Sequence, residues 1–194
     1  FVAENCIRHP ALISDLIKSG NLQESYSQHH YSEMLKTVLI DVKDEAALIQ
    51  TLRAFRRREM TRIAFRDLAG WSDFAETVID LSNLADTCLE QTTLILYDGL
   101  TEKFGTPTAE DGSIQQLVIL GLGKLGAREL NFSSDIDLIF TYPKAGHTRG
   151  TSQSISTDDF FTRLGRQLIK VISQPTSDGF VFRMDMRLRP YGEN

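Results

Sequence analysis

Residues 121–140 read GLGKLGARELNFSSDIDLIF, a glycine-rich turn followed by two aspartates and an apolar run. The apolar residues 117–120 predict a short buried strand before the turn, and residues 135–142 predict a second strand after it. In the second strand Asp135 and Asp137 are two positions apart, so both side chains lie on one face. Paired carboxylates repel each other unless a cation joins them, and oxygen ligands of this kind suit Mg²⁺. The segment therefore predicts a metal site.

A third carboxylate lies further along the chain. Residues 180–188 alternate, which predicts another strand with one apolar face. Its other face carries Val181, Arg183, Asp185, Arg187 and Arg189. An Asp-x-Asp pair alone is more often a pair of exposed acids at a sheet edge. The glycine turn, the adjacent Ser134 and the third acid together favour a metal site completed by Asp185.

The glycine turn also matches G-x-G-x-x-G between Gly121 and Gly126, a pattern typical of dinucleotide-binding proteins. Such proteins have a full helix before the next strand, and their acidic residue ends that strand. Here only residues 127–134 separate the turn from the strand, and the two aspartates begin it. The spacing therefore disfavours a nicotinamide cofactor.

The first hundred residues predict helices. An apolar stripe from residue 74 to residue 95 predicts a long amphipathic helix, with Ser72 as its N-cap. Residues 44–68 predict a second long helix, and residues 10–19 and 31–40 predict shorter ones.

The pattern changes after these helices. Residues 105–113 have the composition of a linker, and residues 143–156 predict a long surface loop before a helix that starts at Thr157. Helices followed by strands with an intervening helix indicate an α+β fold. We expect a helical segment over residues 1–104 and a sheet-containing core over residues 105–194.

The helix predicted at residues 44–68 is rich in arginine. The arginines are Arg53, Arg56, Arg57, Arg58, Arg62 and Arg66. One interpretation is a surface for an anionic ligand or partner. We favour a solvent-exposed face paired with the acidic excess elsewhere, which leaves one or two arginines to face a phosphate.

Composition excludes several classes of protein. The 194 residues carry a net charge of −5, which disfavours a nucleic-acid-coating protein, and no apolar run is long enough to cross a membrane. Cys6 and Cys88 lie far apart without metal-ligand spacing, so we expect free thiols in a reducing compartment. The chain lacks an initial Met, and we expect a fragment of a longer protein.

The acids and the turn resemble the polymerase-beta-type nucleotidyltransferase superfamily. Its members carry a glycine followed by Gly or Ser, an Asp-x-Asp pair about ten residues later, and one more Asp on a neighbouring strand. Here Gly126 lies nine residues before Asp135. Ala127 departs from the pattern, since it lacks a hydroxyl donor, although it keeps a small residue beside the phosphates.

A closer resemblance is to the glutamine synthetase adenylyltransferase family. Residues 121–140 and 178–190 resemble its two signatures, and residues 55–69 are similar to the segment that precedes the domain. The resemblance implies a helical segment followed by a mixed sheet with flanking helices. Enzymes of this family carry two copies of the domain, and residues 131–134 and 180–185 are similar to the first, adenylyl-removing copy.

The resemblance implies a phosphorolysis. Orthophosphate would attack the α-phosphorus of an adenylylated tyrosine on glutamine synthetase, giving ADP and free tyrosine. Asp135 and Asp137 would bind Mg²⁺, as two ions, and Asp185 would be a third ligand or a base. The residues expected to contact nucleotide and phosphate are Lys124, Gly126, Ala127, Ser134, Arg187 and Arg189.

The resemblance also implies partners, namely glutamine synthetase, the PII signal protein, an adenine nucleotide and orthophosphate, in the cytoplasm. Neither nucleic acid nor a membrane is expected. Three alternatives stay open: the adenylyl-transferring half that uses ATP, another nucleotidyltransferase acting on RNA ends or small molecules, and a non-catalytic module that senses nucleotide. Lys124 could equally be a solvated turn residue, and Arg187 and Arg189 could lock Asp185 in a structural pair.

Overall fold

Long helices fill the N-terminal half of the chain in the computed structural model, which describes residues 5, 7–176 and 179–186. They are α1 (Pro10–Lys18), α2 (Gln28–Leu39), α3 (Glu45–Leu68) and α4 (Phe74–Phe104). The predicted helices are confirmed to within a few residues. The predicted N-cap Ser72 is wrong: Asp73 caps α4, and its carboxylate accepts a hydrogen bond from the Glu76 backbone N–H at 2.8 Å.

Short strands and two further helices follow. They are β1 (Thr106–Ala109), β2 (Val118–Leu122), α5 (Gly123–Gly126), β3 (Ile136–Thr141), β4 (Gly146–Arg149), α6 (Thr157–Ser173) and β5 (Met184–Asp185). In the described residues β1 pairs with β4, and a second sheet has the order β2-β3-β5. β3 is antiparallel to β2 and parallel to β5. The predicted α+β fold, with a mixed sheet and flanking helices, is confirmed.

Four predictions about the strands are wrong in detail. The strand before the glycine turn is not buried, since Val118 and Leu120 of β2 are 40% and 46% exposed. β1 lies in the predicted linker and β4 in the predicted loop, because strands of four residues are too short to show a clear period. Of the strand predicted at residues 180–188, the described residues form a strand only at Met184–Asp185. Val181 and Phe182 do not alternate: both are buried, and both backbone N–H groups donate to the Ile172 carbonyl at the end of α6.

One face of β3 packs against the helices. Ile136 and Leu138 are 0% and 1% exposed and join a core that includes Leu84 of α4 and Leu168 of α6. The neighbouring positions of β3 therefore point away from this core. The predicted boundary between residues 104 and 105 falls at the end of α4 and stays a prediction.

The arginines of α3 are not a solvent-exposed face. Arg53, Arg62 and Arg66 are 5%, 0% and 2% exposed, so that interpretation is wrong for these three. Arg62 donates to Glu59 at 2.9 Å and to Asp80 of α4 at 3.1 Å. The pairing with acidic residues was correctly expected, but it takes place inside the protein, where α3 packs between its neighbours.

Within the part of the chain that the structure describes, no helix combines the length and apolar character needed to cross a bilayer.

Candidate functional site

The parallel pairing of β3 and β5 places acidic residues side by side. Asp137 lies directly opposite Asp185 in the register of the two strands. Asp135 immediately precedes β3, two positions before Asp137, and the intervening Ile136 is buried on the other face. Like charges directly opposite each other destabilise a sheet. The sheet therefore gathers carboxylates where a cation would relieve their repulsion.

The glycine turn lies against Asp137. β2 ends at Leu122, opposite Asp137 in the antiparallel register, and the chain then enters α5 at Gly123. Gly123 has a φ of 53°, which favours glycine, and a Cβ atom built there would overlap Oδ2 of Asp137. The carboxylate thus occupies space that exists only because residue 123 has no side chain.

A second glycine lets the turn close. A Cβ atom at Gly126 would overlap the backbone carbonyl of Gly121. The glycines of the G-x-G-x-x-G pattern therefore allow β2, α5 and Asp137 to approach one another closely, which is a steric role unrelated to a dinucleotide.

This cradle predicts a large effect for Gly123→Ala. The new Cβ would both strain the backbone and displace the Asp137 carboxylate, so we expect divalent-metal binding by this chain to weaken at least about tenfold, or by about 1.4 kcal/mol. Gly112→Ala is the matched control, because Gly112 has a φ of 84° with open space around its Cβ position. Assays of the two variants side by side check the prediction. Equal losses would show that the space beside Asp137 is unimportant.

The other predicted site residues lie around this turn and the start of β3. Lys124, Gly126 and Ala127 are exposed on or just after α5. Ser134 is partly buried, and its hydroxyl donates to Oδ1 of Asn131 at 2.7 Å. Arg187 and Arg189 lie outside the described residues.

Arg183 forms an ion pair with Asp135, and the sequence alone assigned it no role. Its Nε donates to Oδ1 of Asp135 at 2.5 Å, and its Nη2 donates to the Ser133 carbonyl at 3.0 Å. The strand register offered a signal, since Arg183 precedes Asp185 by the same two positions that separate Asp135 from Asp137. Opposite charges at neighbouring cross-strand positions are expected to pair.

The donor set suits Mg²⁺, which prefers carboxylate oxygens. The cradle at Gly123 supports this fit, because it leaves room for the Asp137 carboxylate beside the turn. Within residues 5, 7–176 and 179–186, no three His, Cys, Asp or Glu side chains are arranged to hold a metal. Asp135 pairs with Arg183 instead. Asp137 and Asp185 would hold the metal, and Asp135 would join them after turning from Arg183.

A cavity of about 220 Å³ opens beside this end of β3. Its lining combines polar and aromatic residues, among them Arg56, Ser133, Ser134, Phe180 and Arg183. Hydroxyl and guanidinium groups bind phosphate oxygens, and an aromatic ring packs against a planar ring. The cavity therefore combines residue types that bind phosphate groups with aromatic residues that pack against planar rings.

Cys88 is fully buried in the helical core. Burial raises the pKa of its thiol to about 12, so the thiol stays protonated near neutral pH and is a poor nucleophile or metal ligand. Cys6 lies outside the described residues. The absence of a redox or zinc role for either cysteine stays a prediction.

Comparisons with known proteins agree with the resemblance seen in the sequence. The family model described as glutamate-ammonia ligase adenylyltransferase matches residues 1–194. The chain is 49% identical over 195 residues to the bifunctional glutamine synthetase adenylyltransferase/adenylyl-removing enzyme of Nitrosococcus oceani. It is 47% identical over 195 residues to the enzyme of that name from Pseudomonas aeruginosa.

Each match covers all of the chain but only 20% of the relative, so the chain spans about one fifth of the length of these curated relatives. A family match over every residue, joined to relatives of this identity, shows that the chain belongs to the glutamate-ammonia ligase adenylyltransferase family.

Proposed function

We propose that this chain belongs to the adenylyl-removing half of a bifunctional enzyme that acts on glutamine synthetase. The observation that carries the proposal is the register that sets Asp137 opposite Asp185, beside the glycine cradle. The names of the relatives include both adenylyl transfer and adenylyl removal. The choice of the removing half rests on the likeness of residues 131–134 and 180–185 to the first copy of the domain.

The reaction is an in-line displacement at phosphorus. Orthophosphate attacks the α-phosphorus of the adenylylated tyrosine, the bond from phosphorus to the tyrosyl oxygen breaks, and the products are ADP and tyrosine. Bound Mg²⁺ would disperse the charge that develops on the phosphoryl oxygens. The protein has to hold the reacting groups in line and supply the carboxylates that bind the ions.

Each part of the site has a task in this scheme. Asp137 and Asp185, which lie opposite each other on adjacent strands, would hold the metal ions, and Asp135 would complete the set. The Ser134 hydroxyl would bind a phosphate oxygen after turning from Asn131, beside the exposed backbone of Gly126. The Ala127 backbone N–H donates to the Gly123 carbonyl at 3.0 Å, so Ala127 would contribute only its small size beside the phosphate. Lys124 is exposed and would add positive charge for the incoming phosphate. Arg187 and Arg189 stay predicted phosphate contacts.

Product identity tests the proposed reaction. With adenylylated glutamine synthetase, Mg²⁺ and labelled orthophosphate, the full-length enzyme is expected to place the label in ADP. Hydrolysis would instead release unlabelled AMP, which would contradict phosphorolysis. Omitting Mg²⁺ and adding a chelator is the control, and label incorporation is expected to stop.

The adenylyl-transferring half is the second candidate, because the relatives carry that activity as well. It uses the same displacement chemistry with ATP as donor. Variants of this domain in the full-length enzyme separate the two candidates, because each variant is expected to lose only the activity that this domain carries.

A further inference from the structure

Arg183 contacts the carboxylate that the proposed function assigns to the metal site. Its Nε donates to Oδ1 of Asp135 at 2.5 Å, and Nη2 donates to the carbonyl of Ser133 at 3.0 Å. The guanidinium carbon lies 5.7 Å from the centre of the Phe180 ring. Three groups thus hold the guanidinium over the start of β3.

The sheet itself sets this pairing. The Ile136 backbone N–H donates to the Arg183 carbonyl at 2.9 Å, and Ile136 lies opposite Met184 in the register. Asp135 and Arg183 are therefore neighbours two register positions before the pair of acids, Asp137 and Asp185. Arg183 thus lies beside Asp135 at one register position, and Asp137 faces Asp185 two positions further along the strands.

The Asp135 carboxylate is paired with Arg183 in this structure. No group of three acids within the described ranges is arranged to bind a metal, although Asp135, Asp137 and Asp185 lie on adjacent strands. A carboxylate that joins a metal ion must turn toward it. A guanidinium nearby also repels an incoming cation.

We propose that Arg183 is a positioning residue that competes with the metal ion for the Asp135 carboxylate. This inference rests on the proposed function, because it takes Asp135 to be a metal ligand. Arg183 keeps the acid paired and ordered when the metal is absent, and releases it when the metal binds. Metal affinity is therefore set partly by the strength of the Arg183–Asp135 pair.

The pair is weak enough to open. The side chains of Arg183 and Asp135 are 56% and 48% exposed, and ion pairs this exposed contribute little to stability. Here the binding-competent state is the one in which Asp135 is released from Arg183. The apparent dissociation constant of the metal rises as the fraction of protein in that state falls. Removing both the competition and the positive charge is expected to tighten metal binding by about five- to tenfold, or about 1–1.4 kcal/mol.

Mn²⁺ binding to the full-length enzyme, followed by electron paramagnetic resonance, tests the inference. The Mn²⁺ bound at this site is identified as the part of the signal that is lost in Asp137→Asn. Arg183→Gln is expected to bind them five- to tenfold more tightly than the wild type. Arg183→Lys keeps the charge but lacks the planar donor set, and a smaller gain is expected.

Lys144→Gln is the matched control. It removes the same charge from another exposed pair, with Asp111, near the opposite end of β3, and the Mn²⁺ affinity is expected to stay unchanged. Unchanged or weaker Mn²⁺ binding in Arg183→Gln would overturn the inference and leave the proposed function standing. If Asp137→Asn removes no bound Mn²⁺, the metal site is wrong and the inference falls with it.

Discussion

Asp137→Asn is expected to lower the metal-dependent activity of the full-length enzyme by about 10³-fold. A metal ion stabilises the transition state of such displacements by several kcal/mol, and a loss of about 4 kcal/mol corresponds to about 10³ in rate. Asp137 is central to the arrangement, since it faces Asp185 across the sheet and lies against Gly123. An amide at this position keeps the shape of the side chain but removes its charge.

The fold is expected to survive this substitution. Without metal, two opposed carboxylates repel each other, so the variant should be as stable as the wild type or gain up to about 1 kcal/mol. Asp135→Asn provides the contrast: it should also lose activity, but it gives up the ion pair with Arg183, and its metal-free form should lose about 0.2–1 kcal/mol. Thermal denaturation in the presence of a chelator measures the stability of both metal-free variants. Normal turnover in either variant would contradict its assignment as a metal ligand.

Arg62→Met is expected to have the largest effect on stability. Arg62 is fully buried, and its guanidinium donates to Glu59, to Asp80 and, at 2.8 Å, to the Glu24 carbonyl. It also donates to the Tyr31 hydroxyl of α2 at 2.5 Å. Removing this cation leaves the buried Glu59 and Asp80 carboxylates without the guanidinium that lies between them. Breaking a buried ion pair from one side typically lowers the free energy of unfolding by about 3–5 kcal/mol.

Hydrogen–deuterium exchange of α3 and α4 in the full-length enzyme measures this loss. A triple variant that adds Glu59→Gln and Asp80→Asn should recover part of it, because the remaining groups are neutral. Arg128→Met is the control, since Arg128 pairs with Asp86 on the surface and its side chain is 44% exposed. A similar, small change in exchange rates in Arg62→Met, the triple variant and Arg128→Met would show that the buried ion cluster does not hold α3 in place.

The long helices could be predicted from the sequence because each repeats its apolar residues over several turns. The apolar stripe of α4 extends over most of its 31 residues, so its existence was clear even though its cap was assigned one residue too early. β1 and β4 have four residues each and show no such pattern. Their pairing depends on contacts between distant parts of the chain, which periodicity does not reveal.

The burial of Arg62 could not be read from its helix. Arginine normally indicates a solvent-exposed position, and only the packing of α2 and α4 around α3 encloses it with acidic partners.

The acids of the site were predictable in part. Alternation placed Asp135 and Asp137 on one face, whereas the roles of Gly123 and Arg183 depend on the strand register.

The central claim is that the acids of this domain carry adenylyl removal. Its most direct test is to measure both activities of the full-length enzyme carrying Asp137→Asn together with Asp185→Asn. Removal is followed as label from orthophosphate appearing in ADP, and transfer as AMP from ATP attached to unmodified glutamine synthetase. We predict that the variant loses removal and keeps transfer. Loss of transfer with removal intact would contradict the account and assign this domain to the other half.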